Sequence, residues 1–336
     1  MTIRYRALVL TGIGGPLEVQ ERELRALQAG EAAIRIRAAA LNHRDLWIYK
    51  GQYAGLKFPV IMGSDGAGIV EIVGSKADAE WIGRQVVVNP SLDWGNSLEV
   101  QGKDFRILGL PDAGTFSEYV IVPVSNLVAT PNGLTLEEAA ALPLAGLTAY
   151  RALFTRAKIK AGEKLLITGI GGGVALALLR FAVAAKVRVF VTSGSKQKLD
   201  RAISLGAEGG AVYREEGWAE VLAEQAVAFD CIVDSAGGAG FTHLCDLARP
   251  GGRLVFFGAT VGNPTELVLR KIFWKQLNLL GTTMGSSEEF SAMIRMVEDQ
   301  KIIPVIDQVF HFEQAAAALD RMDESGQFGK LILSFN

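Results

Sequence analysis

The chain has 336 residues, 49% of them hydrophobic, and sets 34 Lys and Arg against 36 Asp and Glu for a formal net charge of -2. That length suits about two domains with well-filled cores, and without a basic run the electrostatic footprint of a nucleic-acid binder is missing. Two isolated cysteines, Cys231 and Cys245, are too few for a disulfide framework and point to a reducing cytoplasm.

In chain order, MTIRYRALVL has too short an apolar run for a secretory leader. Ile34 to Arg37 alternates apolar and charged as a half-buried strand does, and Ile69 to Val73 lies between Gly68 and Gly74. Arg84 to Asn89 and Phe116 to Val122 read as further strands, so an irregular β domain is expected in the first third. After the turn at Pro131-Asn132-Gly133, Thr135 and Glu138 form a capping box that starts a helix, and a domain boundary is placed near there.

Strands and helices then alternate, as a doubly wound parallel sheet requires: Lys164 to Thr168, Arg188 to Thr192, Ala211 to Tyr213, Phe229 to Asp234 and Arg253 to Phe257 are the expected strands. Residues 165 to 179 are apolar, but the run is short, rich in glycine and closed by Lys164 and Arg180, so no membrane span is expected. Past Gly262, Asn278 to Thr283 reads as strand, Glu288 to Asp299 and Glu313 to Met322 as helices, and Lys330 to Phe335 as a strand returning to the first domain.

The chemistry-bearing stretch is Lys164 to Ser195. A strand stops at Gly169, Gly171, Gly172 and Gly173, and an Ala/Leu/Val-rich helix follows, so glycine backbone and free helix N–H groups face one point that suits a pyrophosphate. Val174 stands where G-x-G-x-x-G needs its last glycine, and the sequence instead fits a G-x-x-G-x-x-A variant through Gly169, Gly172 and Ala175. At the end of the second strand no acid follows Thr192 until Asp200. Ser193 and Ser195 lie there instead, and Ser195 and Lys198 open the next helix, an arrangement for a 2′-phosphate that favours NADP(H) over NAD(H). The strand ends at Ser235 and at Gly258-Ala259 complete the expected crevice.

Several segments in order resemble the medium-chain dehydrogenase/reductase superfamily, in particular its zinc-free quinone oxidoreductase branch. They are NHRDLWIYKGQY at Asn42 to Tyr53, GSDGAGIVEIVG at Gly63 to Gly74, LPLAGLTAYRAL at Leu142 to Leu153, the glycine loop, DSAGG, PGGRLVFFGAT and FGKLIL. The resemblance covers essentially the whole chain. It implies a GroES-like catalytic domain from 1–128 and 265–336, a Rossmann domain from 129–264, and a homodimer. Zinc-dependent members keep a Cys, a His-Glu pair and a second Cys at the positions of Asn42, Ser64-Asp65 and Leu144. A structural zinc elsewhere uses four cysteines, and residues 89 to 114 hold none. A metal-free enzyme is therefore expected.

By the same resemblance Asn42 and Tyr53 face nicotinamide and substrate, and Asp45 completes N-x-x-D. Trp47 departs from the Tyr common in that branch. The resemblance also puts Thr148 at the carboxamide, His43 at the pyrophosphate, and Tyr213 and Lys330 near the adenosine phosphate. Read from the residues alone, Asp45 fits a structural cap or ion pair as well as a catalytic acid. Asn42 likewise suits backbone hydrogen bonding or substrate contact. The leading expectation is an NADPH-dependent reductase of a quinone or α,β-unsaturated carbonyl. The alternatives are a zinc-containing alcohol dehydrogenase and a dinucleotide binder without turnover.

Overall fold

In the computed structural model, which describes residues 3–335, the strand Glu31–Ala40 is the axis of one of two units, the unit built from the chain up to Leu147 and the part from Gly285 onward. Its Ala and Ile side chains are buried while Arg35 remains exposed. Asp65–Val73 pairs antiparallel on one side, with Ala40 opposite Asp65, and Lys330–Ser334 pairs antiparallel as well, with Ile332 opposite Ala40. The same end of three neighbouring strands therefore carries Asn42, Asp65 and Lys330. Gln85–Val88 and Leu127–Ala129 extend the sheet one way and Ile306–His311 the other. A smaller sheet joins Leu17–Glu23, Arg4–Leu10 and Val60–Ile61.

Close strand packing explains one glycine of the GSDGAGIVEIVG segment: a Cβ on Gly68 would stand 2.1 Å from the Arg35 carbonyl oxygen. The core of this unit gathers Ile34, Leu41, Phe116, Phe312 and Leu331, all buried. Each such side chain contributes about 1.5–3 kcal/mol of transfer free energy. The strand expected from Phe116 begins only at Tyr119, because Phe116 and Ser117 bridge to Leu8 and Ala7 instead. The helix expected after Thr135 forms as Leu136–Ala140, with both halves of its capping box in place at 3.2 and 2.8 Å.

The other unit, Thr148–Met284, is an all-parallel six-stranded sheet. Across it run Gly209–Val212, Arg188–Ser193, Lys164–Ile167, Phe229–Asp234, Ala248–Phe256 and Asn278–Gly281. The order reverses between Lys164–Ile167 and Phe229–Asp234, which makes the carboxyl ends of these two strands the topological switch point. The expected strands all appear, but the boundaries move. Leu136–Ala140 packs on Glu31–Ala40 and Asp65–Val73, which holds it in the first unit and puts the division after Leu147 rather than 128. Asn278–Gly281 pairs with Ala248–Phe256, which extends the parallel-sheet unit to Met284 rather than 264. Among the described residues no helix is long and apolar enough to cross a membrane.

Candidate active site

The sheet end that carries Asn42, Asp65 and Lys330 is a buried polar cluster. Lys330 Nζ donates to Asn42 Oδ1 at 2.7 Å and to Asp65 Oδ2 at 2.9 Å, and the Lys330 and Asp65 side chains are only 5% and 0% exposed. Asp65 Oδ1 accepts the Leu144 N–H at 2.8 Å. Strand pairing explains the convergence: Leu41 N donates to Leu331 O at 2.9 Å, which brings the last strand beside the residue that precedes Asn42. On its other side the last strand runs close to Val305, where Gly329, with φ of 133°, leaves no room for a Cβ. With its Oδ1 committed to Lys330, the Asn42 amide directs Nδ2 away, and that nitrogen is buried with no partner among the described residues.

Asp45 sits at the third position of the helix His43–Tyr49 and accepts the Asn42 N–H at 2.8 Å through Oδ2 and the Gly63 N–H at 3.3 Å through Oδ1. Backbone groups thus engage both oxygens of a fully buried carboxylate. Of the two roles left open by the sequence, the geometry is that of the cap, and the catalytic-acid role is set aside. Burial pushes the Asp45 carboxyl up to about 6, against the opposing pull of Arg44 and the Asn42 N–H. His43 is exposed to solvent, yet desolvation by the surrounding protein and then the Lys330 ammonium hold its pKa below the usual imidazole value.

Tyr53 is half-buried, with the Arg44 guanidinium 5.0 Å over its ring and Arg44 Nε donating to its hydroxyl oxygen over a long 3.4 Å. Arg44 is itself anchored on Ser64 Oγ at 2.6 Å and the Leu108 carbonyl at 2.9 Å. Since arginine only donates, the Tyr53 oxygen accepts from it and the phenolic proton is left to be given elsewhere.

A zinc ion suits this cluster poorly. Of the residues at the four matching positions, Asn42 and Asp65 already share an ammonium, Ser64 Oγ donates to the Leu108 carbonyl at 2.7 Å, and Leu144 offers no side-chain ligand. A dication would meet Lys330 at close range. Among the described residues no group of three or more His, Cys, Asp or Glu side chains could hold a metal ion.

In the parallel-sheet unit the residues fit a dinucleotide. Gly169 and Gly171 take φ of 65° and 134°, conformations that favour glycine, and a Cβ on Gly169 or Gly172 would project into open space. Gly172 caps the helix Gly173–Ala184 without a side-chain bond, so no side chain of the cap competes for the first N–H groups, which begin at Gly173 and Val174. Thr192 fixes the loop, its Oγ1 accepting the Gly169 N–H at 3.0 Å. Asp234 fixes the facing strand end, accepting from Thr168 Oγ1 at 2.5 Å and Gly237 N at 2.8 Å, beside Ser235. Gly258 and Ala259 lie exposed, with Thr260 N donating to Ser235 O at 3.0 Å. Thr148 is buried in the helix Pro143–Tyr150.

The expected 2′-phosphate residues fall together in this unit. Ser195 caps the helix Lys196–Ser204 by accepting the Lys198 N–H at 3.3 Å, and Ser193 Oγ accepts the Ser195 N–H at 3.2 Å. A Cβ on Gly194 would lie 2.7 Å from Tyr213 Oη and 3.6 Å from Arg214 Nε. Arg214 was not expected from the sequence; its nearness to the end of the second strand follows from the parallel pairing of Ser193 with Val212. Lys330 belongs to the other unit. There its ammonium is held in buried bonds to Asn42 and Asp65, beside the role near the adenosine phosphate that the resemblance implies.

Comparison with known proteins agrees with this architecture. Residues 28–132 match the family model described as alcohol dehydrogenase GroES-like domain, and residues 173–299 the one described as zinc-binding dehydrogenase. Over 95% of its length the chain is 34% identical to a zinc-type alcohol dehydrogenase-like protein of Leptosphaeria maculans, covering 94% of that protein. The chain belongs to the medium-chain dehydrogenase/reductase superfamily. Within this superfamily it is 27% identical to the mouse quinone oxidoreductase, over 98% of the chain and 97% of that protein. The crystal structure of an NAD-dependent alcohol dehydrogenase superposes with a TM-score of 0.91 at 33% identity, over 98% of this chain and all of that one. Medium-chain members thus include both zinc-type and quinone oxidoreductase relatives of this chain, and their names leave acceptor and cofactor to be argued from the residues.

Proposed function

We propose that this oxidoreductase is an NADPH-dependent reductase of quinones or α,β-unsaturated carbonyls that works without a metal ion. The observation that carries the reading is the Lys330 ammonium bound to Asn42 and Asp65, at positions where zinc-dependent relatives keep ligand residues. Moving a hydride onto an isolated ketone builds negative charge on one oxygen, and a Lewis acid offsets several kcal/mol of that cost. The donors here are neutral, the Asn42 Nδ2 amide and the Tyr53 hydroxyl. A quinone or enone spreads the incoming charge over its conjugated system, so neutral donors suffice.

When bound, the reduced nicotinamide supplies the hydride. Asn42 then donates to the acceptor oxygen, and Tyr53 gives it a proton or orders the water that does. Arg44 keeps the Tyr53 ring in place. Ser193, Ser195, Lys198, Tyr213 and Arg214 receive the 2′-phosphate, and the absence of an acid after Thr192 removes the partner that a free ribose diol would use. The second reading, an alcohol dehydrogenase, has the names of relatives in its favour but no ligand set among the described residues. The expected assembly is a homodimer. Oxidation of NADPH by a quinone, an enone and a matched saturated ketone tests the proposal, which requires the conjugated acceptors to be strongly preferred.

A further inference from the structure

We infer that Lys330 and Asp65 are positioning residues that make Asn42 a preorganised hydrogen-bond donor to the acceptor oxygen, the inference resting on the reductase reading above. An asparagine amide has one accepting oxygen and one donating nitrogen, and which way it faces is set by its neighbours. Here a cation holds Oδ1 at 2.7 Å, and an ammonium cannot bond the amide nitrogen, so the flip is fixed. Asp65 holds that cation at 2.9 Å and is itself held by the Leu144 N–H at 2.8 Å and, through its own carbonyl, by Thr115 Oγ1 at 2.7 Å.

The chain of bonds ends on Asn42 Nδ2, buried and without a partner among the described residues, in a residue that is 7% exposed. A buried donor left unmatched costs free energy unless a ligand completes it. Positive charge on the carbonyl side also polarises the amide, which strengthens the hydrogens of Nδ2 as donors. Lys330 therefore acts on the substrate through Asn42 and does not touch it.

The test is a double-mutant cycle on the full-length protein, with an enone and saturating NADPH. Asn42→Ala and Lys330→Met are each expected to lower kcat about 100-fold, as loss of one transition-state donor does. Lys330→Met in the Asn42→Ala background is expected to lower it no further, because the lysine has lost the group it positions. The affinity for NADPH, read by fluorescence titration, should stay within threefold in each variant, a limit of about 0.6 kcal/mol. Asn42→Asp keeps an oxygen for Lys330 and deletes the donor, so it should fold and show the same fall in kcat. Should Lys330→Met not fold, Asp65→Asn takes its place in the cycle, with an expected fall of about tenfold that vanishes in the Asn42→Ala background.

Additive losses would overturn the inference. So would an unchanged kcat with NADPH binding lost, which would make Lys330 a cofactor anchor. A wild-type enzyme that turns over no conjugated acceptor overturns the reductase reading together with this one, whereas an active wild type with additive losses overturns this one alone.

Discussion

Asp45 accepts the backbone N–H of Asn42 at 2.8 Å and thereby sets the first turn of the helix that begins at His43. Burial of the charged carboxylate costs stability at neutral pH, and the bond offsets part of that cost. The folded pKa of Asp45 is raised to about 6 from an ordinary 3.8, so its contribution is full below the unfolded value and is lost as pH rises through the folded one. The shift corresponds to roughly 3 kcal/mol between about pH 4 and pH 6. Arg44, Asp65 and Lys330 are the charges that bear on it. Denaturant midpoints of wild type and Asp45→Asn across that window should show the wild type losing stability relative to the variant as pH rises. A pH-independent difference would show that Asp45 does not titrate there.

The second expectation concerns cofactor choice. Lys198→Ala and Arg214→Ala should each weaken NADPH about 10- to 100-fold, or ~1.5–3 kcal/mol, while leaving NADH nearly unchanged. Isothermal titration reads both. Equal loss for the two cofactors would place the phosphate elsewhere.

Tyr53→Phe removes the phenolic proton but keeps the ring under Arg44. A fall of about 10²–10³ in kcat is expected if Tyr53 is a donor in the transition state, with little change in thermal stability, since the ring is only half-buried. An unchanged rate would assign the proton to water.

Metal content is the fourth expectation. Protein purified and assayed in chelator should keep full activity and show no stoichiometric zinc by elemental analysis. Activity lost to chelation and restored by zinc would contradict the unfavourable fit of the Lys330 cluster for a dication.

Much of the fold was legible because its signals are local. Apolar runs ending at glycine, and the capping box of Thr135 and Glu138, need only a few neighbouring residues, and both are where the sequence put them. The group proposed for the 2′-phosphate was half legible: Ser195 and Lys198 are three residues apart, but Arg214 comes near Gly194 only through parallel strand pairing. The role near the adenosine phosphate came to Lys330 from the family resemblance alone, while its bonds to Asn42 and Asp65 cross 288 and 265 residues, a range that no periodicity records. The unit boundaries slipped for a related reason, since the edge strand Asn278–Gly281 declares its sheet only by pairing.

Acceptor selectivity is the most direct measurement of metal-free reduction by neutral donors. With NADPH, kcat/KM for a quinone and for an enone should exceed that for the matched saturated ketone by about 100-fold or more, a difference of ~2.7 kcal/mol in transition-state stabilisation. A saturated ketone reduced as fast as its conjugated counterpart, by protein shown to be free of metal, would contradict it.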